Sequence, residues 1–286
     1  MLPIGYGKNA CWFRFSRYET FENEKDVKGI YIIPAQKSEK IVYNPFDYAE
    51  DLISDYLNFG KAIFDGIEES EKIGGALNLV TKYGLLGVIT YNEVEKYLRG
   101  FKYHNRKIYC FYTDGEFIGK KTFQEYIDMI FPLPNRQLFF DLDDFISSHS
   151  SFERNYSERV NMIVNKAKEL YSNFKSVTDF KNTNEIENMP DKEYIRKVLN
   201  ANFYIKNVDL VIEHDEVNGA TLNWSADNLF KMIDIIYALK LVDKKSGLAA
   251  CKNCGNPFLK SRKDMEYCSN ACGNSYRVKK CKRLKA

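Results

Sequence analysis

The sequence predicts an α+β fold, in which a body of mixed strands and helices precedes a small cysteine-rich module at the C-terminus. Three observations predict it. Short stretches near the N-terminus alternate apolar and polar residues, as strands do. The middle of the chain carries apolar residues at helical spacing. The last 36 residues hold five of the seven cysteines, four of them in two closely spaced pairs, and a run of basic residues.

The composition indicates a globular protein with reduced thiols. The chain has 286 residues, of which 44% are hydrophobic and 15% aromatic, which is enough to bury a core. No stretch approaches about 18 uninterrupted apolar residues, so we expect no membrane span. The N-terminus lacks the pattern of a signal peptide, and an odd number of cysteines disfavours a secreted disulfide framework. We therefore expect a cytoplasmic protein.

Strands come first along the chain and helices follow. The alternating segments predict strands at residues 11–18, 29–33 and 41–43. From Asp47 the apolar residues follow helical spacing, and Gly60 is expected to end that helix. A second helix is predicted through residues 76–83, with Gly84 as its stop.

The middle of the chain is less regular. A helix is predicted between residues 116 and 129. The clearest helix of the chain covers residues 152–174, where the apolar residues form one stripe on a helical face. A polar loop is expected at residues 178–189, and a short helix at residues 194–199.

A hairpin and one more helix precede the cysteine-rich module. Residues 203–212 and 220–224 predict two antiparallel strands, joined by a turn at residues 214–219. Residues 225–227 are expected to cap a helix that runs through residues 229–241.

The predicted domain boundaries separate a body from the C-terminal module. The body is residues 1–245, the module is residues 251–286, and residues 244–247 lie in the linker between them. Pro132 interrupts the body and predicts a subdivision near residues 132–150.

Four cysteines in the module have metal-ligand spacing. Two residues separate Cys251 from Cys254, three separate Cys268 from Cys272, and 13 lie between the pairs. Four thiolates suit tetrahedral Zn²⁺, and a site closed by four protein ligands is structural rather than catalytic. Two disulfides are the alternative, which the lack of a secretory context disfavours. The sequence therefore predicts one structural zinc ion.

The residues around the cysteines predict a treble-clef-like arrangement, in which a metal-binding knuckle is followed by a helix that carries the second ligand pair. Gly255 directly follows the first pair, where a sharp turn needs the conformational freedom of glycine. Ser269 is placed to cap the helix. Phe258 and Leu259 are expected to form an apolar plug beneath the metal.

The basic C-terminus predicts a polyanionic partner. Residues 251–286 carry ten Lys or Arg and two acidic residues, whereas the other 250 residues carry 32 basic and 37 acidic ones. Such cations contact phosphates, so we expect nucleic-acid binding, with duplex DNA favoured. The alternative is a solvated basic tail that only balances the charge of the thiolates. The expected contact residues are Tyr276, Arg277, Lys279, Lys280, Lys282 and Arg283.

The C-terminal segment resembles the bacterial CGNR zinc-finger family, whose members are regarded as transcriptional regulators. The matching residues, within about the last 85, are Cys251, Cys254, Phe258, Leu259, Cys268, Ser269, Cys272, Gly273 and Asn274. Ser275 stands where the family has arginine, and the gap between the last two cysteines is one residue shorter here. Residues 83–86 resemble a short motif in the bodies of such proteins. The resemblance implies the zinc finger of a bacterial transcriptional regulator.

Two other functions stay open. The finger is alternatively a structural or protein-interaction module, with the body serving self-association or a protein partner. A weaker alternative is a metal-dependent hydrolase, because Asp141 and Asp143 follow an apolar run, although aspartates that cap a turn are the simpler interpretation. The three histidines are isolated, and no glycine-rich phosphate loop or nucleophile elbow is present, so we expect no enzymatic activity.

Overall fold

A computed structural model describes much of the chain and confirms the α+β fold. The described residues are 4–5, 10, 12–23, 29–87, 89–90, 101–103, 106–110, 120–121, 154, 156–183, 209–215, 219–226, 228–243 and 247–283. The chain forms two compact units. The first unit contains Met1–Asp47, Glu69–Val164 and Val208–Met232, and the second contains Tyr48–Glu68, Asn165–Asn207 and Ile233–Ala286. The division of the chain into a body and a module stays a prediction.

The strands of the first unit form several small sheets. They are β1 (Ile4–Gly5), β2 (Trp12–Phe15), β3 (Tyr18–Asn23), β4 (Gly29–Pro34), β5 (Lys40–Tyr43), β6 (Ile89–Thr90), β7 (Phe101–Tyr103), β8 (Arg106–Cys110), β9 (Lys120–Lys121), β10 (Tyr156–Arg159), β11 (Asp209–Asp215) and β12 (Gly219–Ser225). The largest described sheet has the order β3-β4-β10-β8-β7, and its neighbours are antiparallel except for β10 and β8. A second sheet has the order β1-β12-β11, and β2-β5 and β6-β9 form two-stranded pairs.

Five α-helices and one further hairpin are described. The helices are α1 (Ala49–Phe64), α2 (Glu69–Tyr83), α3 (Val160–Thr183), α4 (Leu229–Val242) and α5 (Asn270–Arg283). The hairpin consists of β13 (Leu248–Ala250) and β14 (Pro257–Leu259), and a 3₁₀ turn, Pro45–Tyr48, leads into α1. None of the helices in the described ranges has the length and apolar character needed to cross a bilayer.

Residues 83–87 join several elements of the first unit through their backbone. Trp12 donates its indole N–H to the Leu85 carbonyl at 3.0 Å, and the Tyr43 hydroxyl donates to the Tyr83 carbonyl at 2.5 Å. Gly84 ends α2 as predicted, with φ of +89°, a conformation that L-residues with a side chain rarely adopt.

The strand predicted at residues 11–18 is two strands. The chain breaks at Ser16 because the two halves pair with different partners, β2 with β5 and β3 with β4. The Ser16 amide donates to the Glu39 carbonyl at 2.8 Å instead of continuing a strand ladder. The other two predicted N-terminal strands are confirmed as β4 and β5.

Gly60 does not end the first helix. Helix α1 continues to Phe64, and Gly60 is buried against α3. A Cβ atom at this position would lie 2.2 Å from the carbonyl oxygen of Ala167 and 2.7 Å from Cβ of Tyr171. The glycine therefore serves the close approach of two helices rather than a helix stop.

The helix predicted at residues 152–174 begins later and ends later. Tyr156–Arg159 is a strand in the largest sheet, and α3 covers Val160–Thr183, which includes residues 178–183 of the predicted loop. The strand forms because these residues pair with β4 and β8. Within it, the buried carboxylate of Glu158 accepts the N–H groups of Leu86 and Gly87 at 2.7 and 2.6 Å. The apolar stripe after residue 160 is confirmed as the buried face of α3.

The predicted hairpin is confirmed as β11 and β12, which pair antiparallel from Asp209 opposite Ser225 to Asp215 opposite Gly219. Residues 214, 215 and 219, which the sequence assigns to the turn, belong to the two strands in the structure. The cap of the next helix differs from the prediction. The side chain of Asn228, rather than residues 225–227, accepts the backbone N–H of Lys231 at 2.9 Å, because Asn228 directly precedes the first helical residue, Leu229.

Several predictions fall outside the described residues. They are the helix at residues 194–199, the subdivision near residues 132–150, the first part of the strand at 203–212, and the linker residues 244–246. Within the helix predicted at residues 116–129, the structure describes Lys120–Lys121, which form strand β9, so the prediction is wrong at these two residues and its other residues lie outside the described part. Asp141 and Asp143 of the hydrolase alternative also lie outside the described part of the chain.

Candidate metal centre

The knuckle lies at the turn of the β13-β14 hairpin. The Cys251 amide donates to the Asn256 carbonyl at 2.9 Å, and the Gly255 amide donates to the Cys251 carbonyl at 2.8 Å. These bonds close a tight loop, in which Gly255 has φ of +72° as the sequence predicts. The turn brings Cys251 and Cys254 to one end of the hairpin.

The second ligand pair lies at the start of α5. The Ser269 hydroxyl accepts the N–H of Cys272 at 3.2 Å, and the Ser269 carbonyl accepts the N–H of Gly273 at 3.1 Å. Ser269 therefore caps the helix as the sequence predicts. Cys268 comes just before the cap and Cys272 lies in the first turn. The N-terminus of a helix favours negative charge, so it suits the thiolates.

The four sulfurs fit a tetrahedral metal ion. The Sγ atoms of Cys251, Cys254, Cys268 and Cys272 all lie within 4.8 Å of one another. Cys268 Sγ is 3.7 Å from Cys254 Sγ and 3.5 Å from Cys272 Sγ. A tetrahedron with Zn–S bonds of about 2.3 Å has S···S edges of about 3.8 Å. The cluster is therefore placed to hold one metal ion with four protein ligands.

The pKa of Cys251, the first cysteine of the knuckle, is lowered by its surroundings. Burial opposes its ionisation, but the backbone amides of Cys268, Cys254 and Asn253 donate to the Cys251 sulfur and lower its pKa to about 6. Burial and the sulfurs of Cys272 and Cys251 raise the pKa of Cys268 to about 12. The cluster thus keeps a proton in the absence of a metal, which a bound cation would displace.

No disulfide forms among the cysteines whose side chains the structure describes. Cys251 is buried, Cys268 and Cys272 are half-buried, and Cys254 is exposed. Cys281 is exposed on α5, and its thiol is also free. In this structure the four clustered cysteines are therefore not paired as two disulfides.

Asn253 joins the knuckle to the helix, and the sequence reasoning missed it. Its side-chain amide donates to the sulfur of Cys272 and lowers the pKa of that thiol. Its Oδ1 atom accepts a hydrogen bond from Lys279 Nζ at 3.1 Å. The sequence could not predict these contacts, because the partner residues lie 19 and 26 positions away in the chain. The one available signal is the position of Asn253 between the first two cysteines.

Lys252 and two tyrosines make further contacts within the finger. Lys252 Nζ lies 2.5 Å from a carboxylate oxygen of Glu266, which raises the pKa of the lysine. The Tyr267 and Tyr276 rings pack together with centroids 5.4 Å apart. Tyr267 also lies against Gly273, where an added Cβ would be 3.4 Å from its ring. The finger is held together by polar and aromatic contacts as well as by its sulfurs.

The expected nucleic-acid contact residues all lie on α5. The side chains of Arg277, Lys279, Lys280 and Lys282 are exposed. Tyr276 is half-buried against Tyr267, so only part of its ring faces solvent.

Two of the cations have partners within the finger. The Arg277 guanidinium donates to the side chain of Asn274 at 3.4 Å, and Lys279 is bonded to Asn253. Arg283 belongs to α5, but its side chain is outside the described part of the structure. The helix therefore presents cations of two kinds, some held by neighbours and some extending into solvent.

The finger packs within the second unit. Strand β14 packs against α1, and Pro257 and Phe258 are buried. The apolar plug expected beneath the metal stays a prediction. Leu259 is only half-buried. The hydrogen bond to Asp65 raises the pKa of Lys61 of α1, and the neighbouring Cys254 adds a smaller contribution in the same direction. The metal cluster is thus built onto a helix from a distant part of the chain.

No protein-family model, curated protein or solved structure matches the chain. A functional assignment therefore depends on the residues of the metal centre and of α5.

Proposed function

We propose that this protein carries one structural Zn²⁺ ion in its C-terminal finger and binds nucleic acid through α5, as a transcriptional regulator of the kind that the CGNR resemblance implies. The observation that carries the proposal is a closed set of four sulfurs whose second pair begins a helix lined with cations. Duplex DNA is the favoured partner, because phosphate contacts require clustered cations.

Zinc is the metal that this donor set favours. Four thiolates select soft or borderline cations, and their tetrahedral placement leaves no open position for a substrate. The metal is therefore structural, and it holds together a segment with little apolar content. Apparent binding free energies of about 10–16 kcal/mol are typical of such small zinc modules.

The charge balance supports a polyanionic partner. The formal charge of residues 251–286 is +8, and four thiolates with Zn²⁺ contribute about −2, which leaves about +6. Binding to five or six phosphates gives a slope near −5 for log K against log salt concentration.

A protein-interaction or purely structural finger is the second candidate. The observation that favours it is the bonding of finger cations to finger residues, Lys279 to Asn253 and Lys252 to Glu266. Cations that are occupied in this way contribute less to an external partner than exposed ones.

The two candidates differ in the salt dependence of DNA binding. We would measure duplex DNA binding at several salt concentrations, on protein whose zinc content is quantified. The test variant replaces three exposed α5 cations: Arg277→Gln, Lys280→Gln and Lys282→Gln. The control carries three neutral replacements at exposed cations outside the finger: Arg17→Gln, Lys37→Gln and Lys168→Gln.

We expect about one zinc per chain and salt-dependent binding, with a slope reduced by about 3 in the α5 variant and unchanged in the control. One zinc per chain without binding by any form would refute the nucleic-acid role and leave the interaction module. Fully reduced protein that takes up no zinc would overturn the proposal at its first step.

A further inference from the structure

The segment between the two cysteine pairs carries a second group of cations, separate from those of α5. Residues 260–266, here called the basic loop, contain Lys260, Arg262 and Lys263 as well as Asp264 and Glu266, the two acidic residues of the finger. The side chains of Arg262 and Lys263 are exposed, whereas Lys260 is half-buried at the end of β14. The contact residues expected on α5 include none of these.

The basic loop is closed by its own hydrogen bonds. The Met265 amide donates to the Arg262 carbonyl at 3.1 Å, and the Ser261 hydroxyl donates to the Met265 sulfur at 3.4 Å. The backbone bond closes a four-residue turn, in which Lys263 and Asp264 occupy the two central positions. Lys263 therefore lies at the tip of a closed turn, where its ammonium is presented to solvent at a lower ordering cost than in an open loop.

The acidic residues of the basic loop do not cancel its cations. A carboxylate oxygen of Glu266 lies 2.5 Å from Lys252 Nζ on the knuckle, so this charge is already neutralised. Asp264 lies 3.9 Å from Arg262, and their side chains are 81% and 76% exposed, so water screens this pair strongly. Within the described part of the chain, no carboxylate pairs with the ammonium of Lys263. The tip of the loop therefore has an excess of positive charge.

Two contacts hold the end of the basic loop beside α5. Tyr267 directly follows the loop, and its ring packs against the ring of Tyr276 with centroids 5.4 Å apart. The Lys252 amide donates to the Glu266 carbonyl at 3.0 Å, which ties the same end to the knuckle. Lys263 is four residues from Tyr267, so their Cα atoms are at most about 14 Å apart. That is less than half of one turn of duplex DNA, about 34 Å, so a single duplex can reach both elements.

We propose that the basic loop is a second phosphate-contact site, at which Arg262 and Lys263 bind the backbone of the duplex that α5 binds. The inference rests on the proposed function, because it adds contacts to the same nucleic-acid surface. The planar guanidinium of Arg262 suits two phosphate oxygens, and the ammonium of Lys263 acts as a compact charge with three donors. Phosphate contacts carry no base information, so the loop adds affinity and fixes the orientation of α5 on the duplex.

The first test removes the two cations from the full chain. The variant Arg262→Gln with Lys263→Gln is compared with wild type for binding to a duplex of mixed sequence at several salt concentrations, with zinc content quantified. The control is Arg17→Gln with Lys37→Gln, two exposed cations of the first unit. We expect the salt slope of the loop variant to fall by about 2, and its affinity to fall about 30-fold near physiological ionic strength. The control should bind like wild type, and zinc content should be equal in all three.

The second test adds positive character to the loop without removing a cation. Asp264→Asn releases Arg262 from its carboxylate and removes a negative charge beside the phosphates, so we expect binding to tighten about 2- to 5-fold. Asp47→Asn, at an exposed aspartate of the first unit, changes the net charge equally and should leave the affinity unchanged. A gain of affinity in Asp264→Asn cannot come from damage to the finger, so this variant separates a contact from a loss of folding.

The outcomes separate this inference from the proposed function. If the loop variant keeps the affinity and salt slope of wild type while the α5 triple variant loses both, the loop site is refuted and the α5 surface stands. An affinity that Asp264→Asn leaves unchanged would also contradict the loop site. A zinc-loaded wild-type chain without salt-dependent binding would refute the nucleic-acid role, and the loop contact with it.

Discussion

At the scale of single residues, buried charged groups bridge parts of the chain that are far apart in sequence. In the first unit, the carboxylate of Glu158 accepts the N–H groups of Leu86 and Gly87 and the hydroxyl of Tyr156. In the second unit, the ammonium of Lys166 is buried and pairs with Asp234 and, at 3.4 Å, with Glu169. Each of these charges is compensated, because a buried charge without a partner is costly.

Removal of the partner of Lys166 is expected to destabilise the second unit. Asp234→Ala should cost about 3–5 kcal/mol, because it leaves a buried ammonium without its main partner. The double variant Lys166→Met with Asp234→Leu should recover most of this loss, since no charge then remains buried. Denaturant unfolding measures both.

The exposed pair of Lys175 and Asp179, on the same helix as Lys166, provides the control for this prediction. Their charged atoms are 2.5 Å apart and both side chains are accessible to solvent. Asp179→Ala should cost less than about 1 kcal/mol. An equal loss from Asp234→Ala and Asp179→Ala would show that burial of the ion pair has no special role.

At the scale of elements, two glycines in helices have opposite surroundings. Gly60 of α1 is buried against the backbone of α3, whereas a Cβ at Gly74 of α2 would meet no atom within 4 Å. The sequence predicts that both glycines destabilise their helices, because glycine loses more conformational entropy than alanine when it is ordered. Only the tertiary contact distinguishes a necessary glycine from a replaceable one.

Replacement of these glycines by alanine should therefore change stability in opposite directions. Gly60→Ala should destabilise by about 2 kcal/mol or more, because the two helices must move apart to admit the methyl group. Gly74→Ala should stabilise by about 0.5–1 kcal/mol. Thermal and denaturant unfolding of the two variants test this, and a stable Gly60→Ala would disprove the close packing of α1 on α3.

The cap of α5 is a second element-scale feature. Ser269→Ala removes the hydroxyl that accepts the N–H of Cys272, and N-cap losses cost about 1 kcal/mol. Because the capped turn carries two metal ligands, we expect the metal affinity to fall about fivefold. Competition with a chelating dye measures it, and Ser261→Ala, an exposed serine in the same finger, is the matched control. Equal affinities of the two variants would argue against a capping role.

At the scale of the whole molecule, the finger is part of the second compact unit rather than a free tail. Its hairpin packs against α1, which lies about 200 residues earlier in the chain. Removal of the metal should therefore affect α1 as well as the finger, since structural zinc sites contribute folding free energy directly.

Chelation followed by hydrogen exchange tests this coupling. We expect faster exchange throughout residues 247–283 and in the last turns of α1, where Lys61 lies near Cys254. The paired strands β3 and β4 of the first unit should keep their protection and serve as the internal control. Unchanged exchange in α1 would mean that the finger folds independently of it.

The sequence by itself determined the chemistry of the metal centre. The spacing of the four cysteines, the glycine of the knuckle and the serine cap at Ser269 all depend on neighbours within a few residues, where the chain has few ways to arrange itself. The apolar stripe of α3 and the hairpin of β11 and β12 were predictable for the same reason, because a repeated local pattern specifies its own element.

Only the tertiary structure decided the features that depend on distant contacts. Residues 156–159 continue a helical pattern in sequence, but their pairing with β4 and β8 makes them a strand. Gly60 looks like a helix stop until α3 is seen against it. Asn253 looks like a loop residue until Cys272 and Lys279 are brought to it by the fold. Neighbouring residues in the sequence do not predict these contacts, because they form only when segments remote in the chain come together.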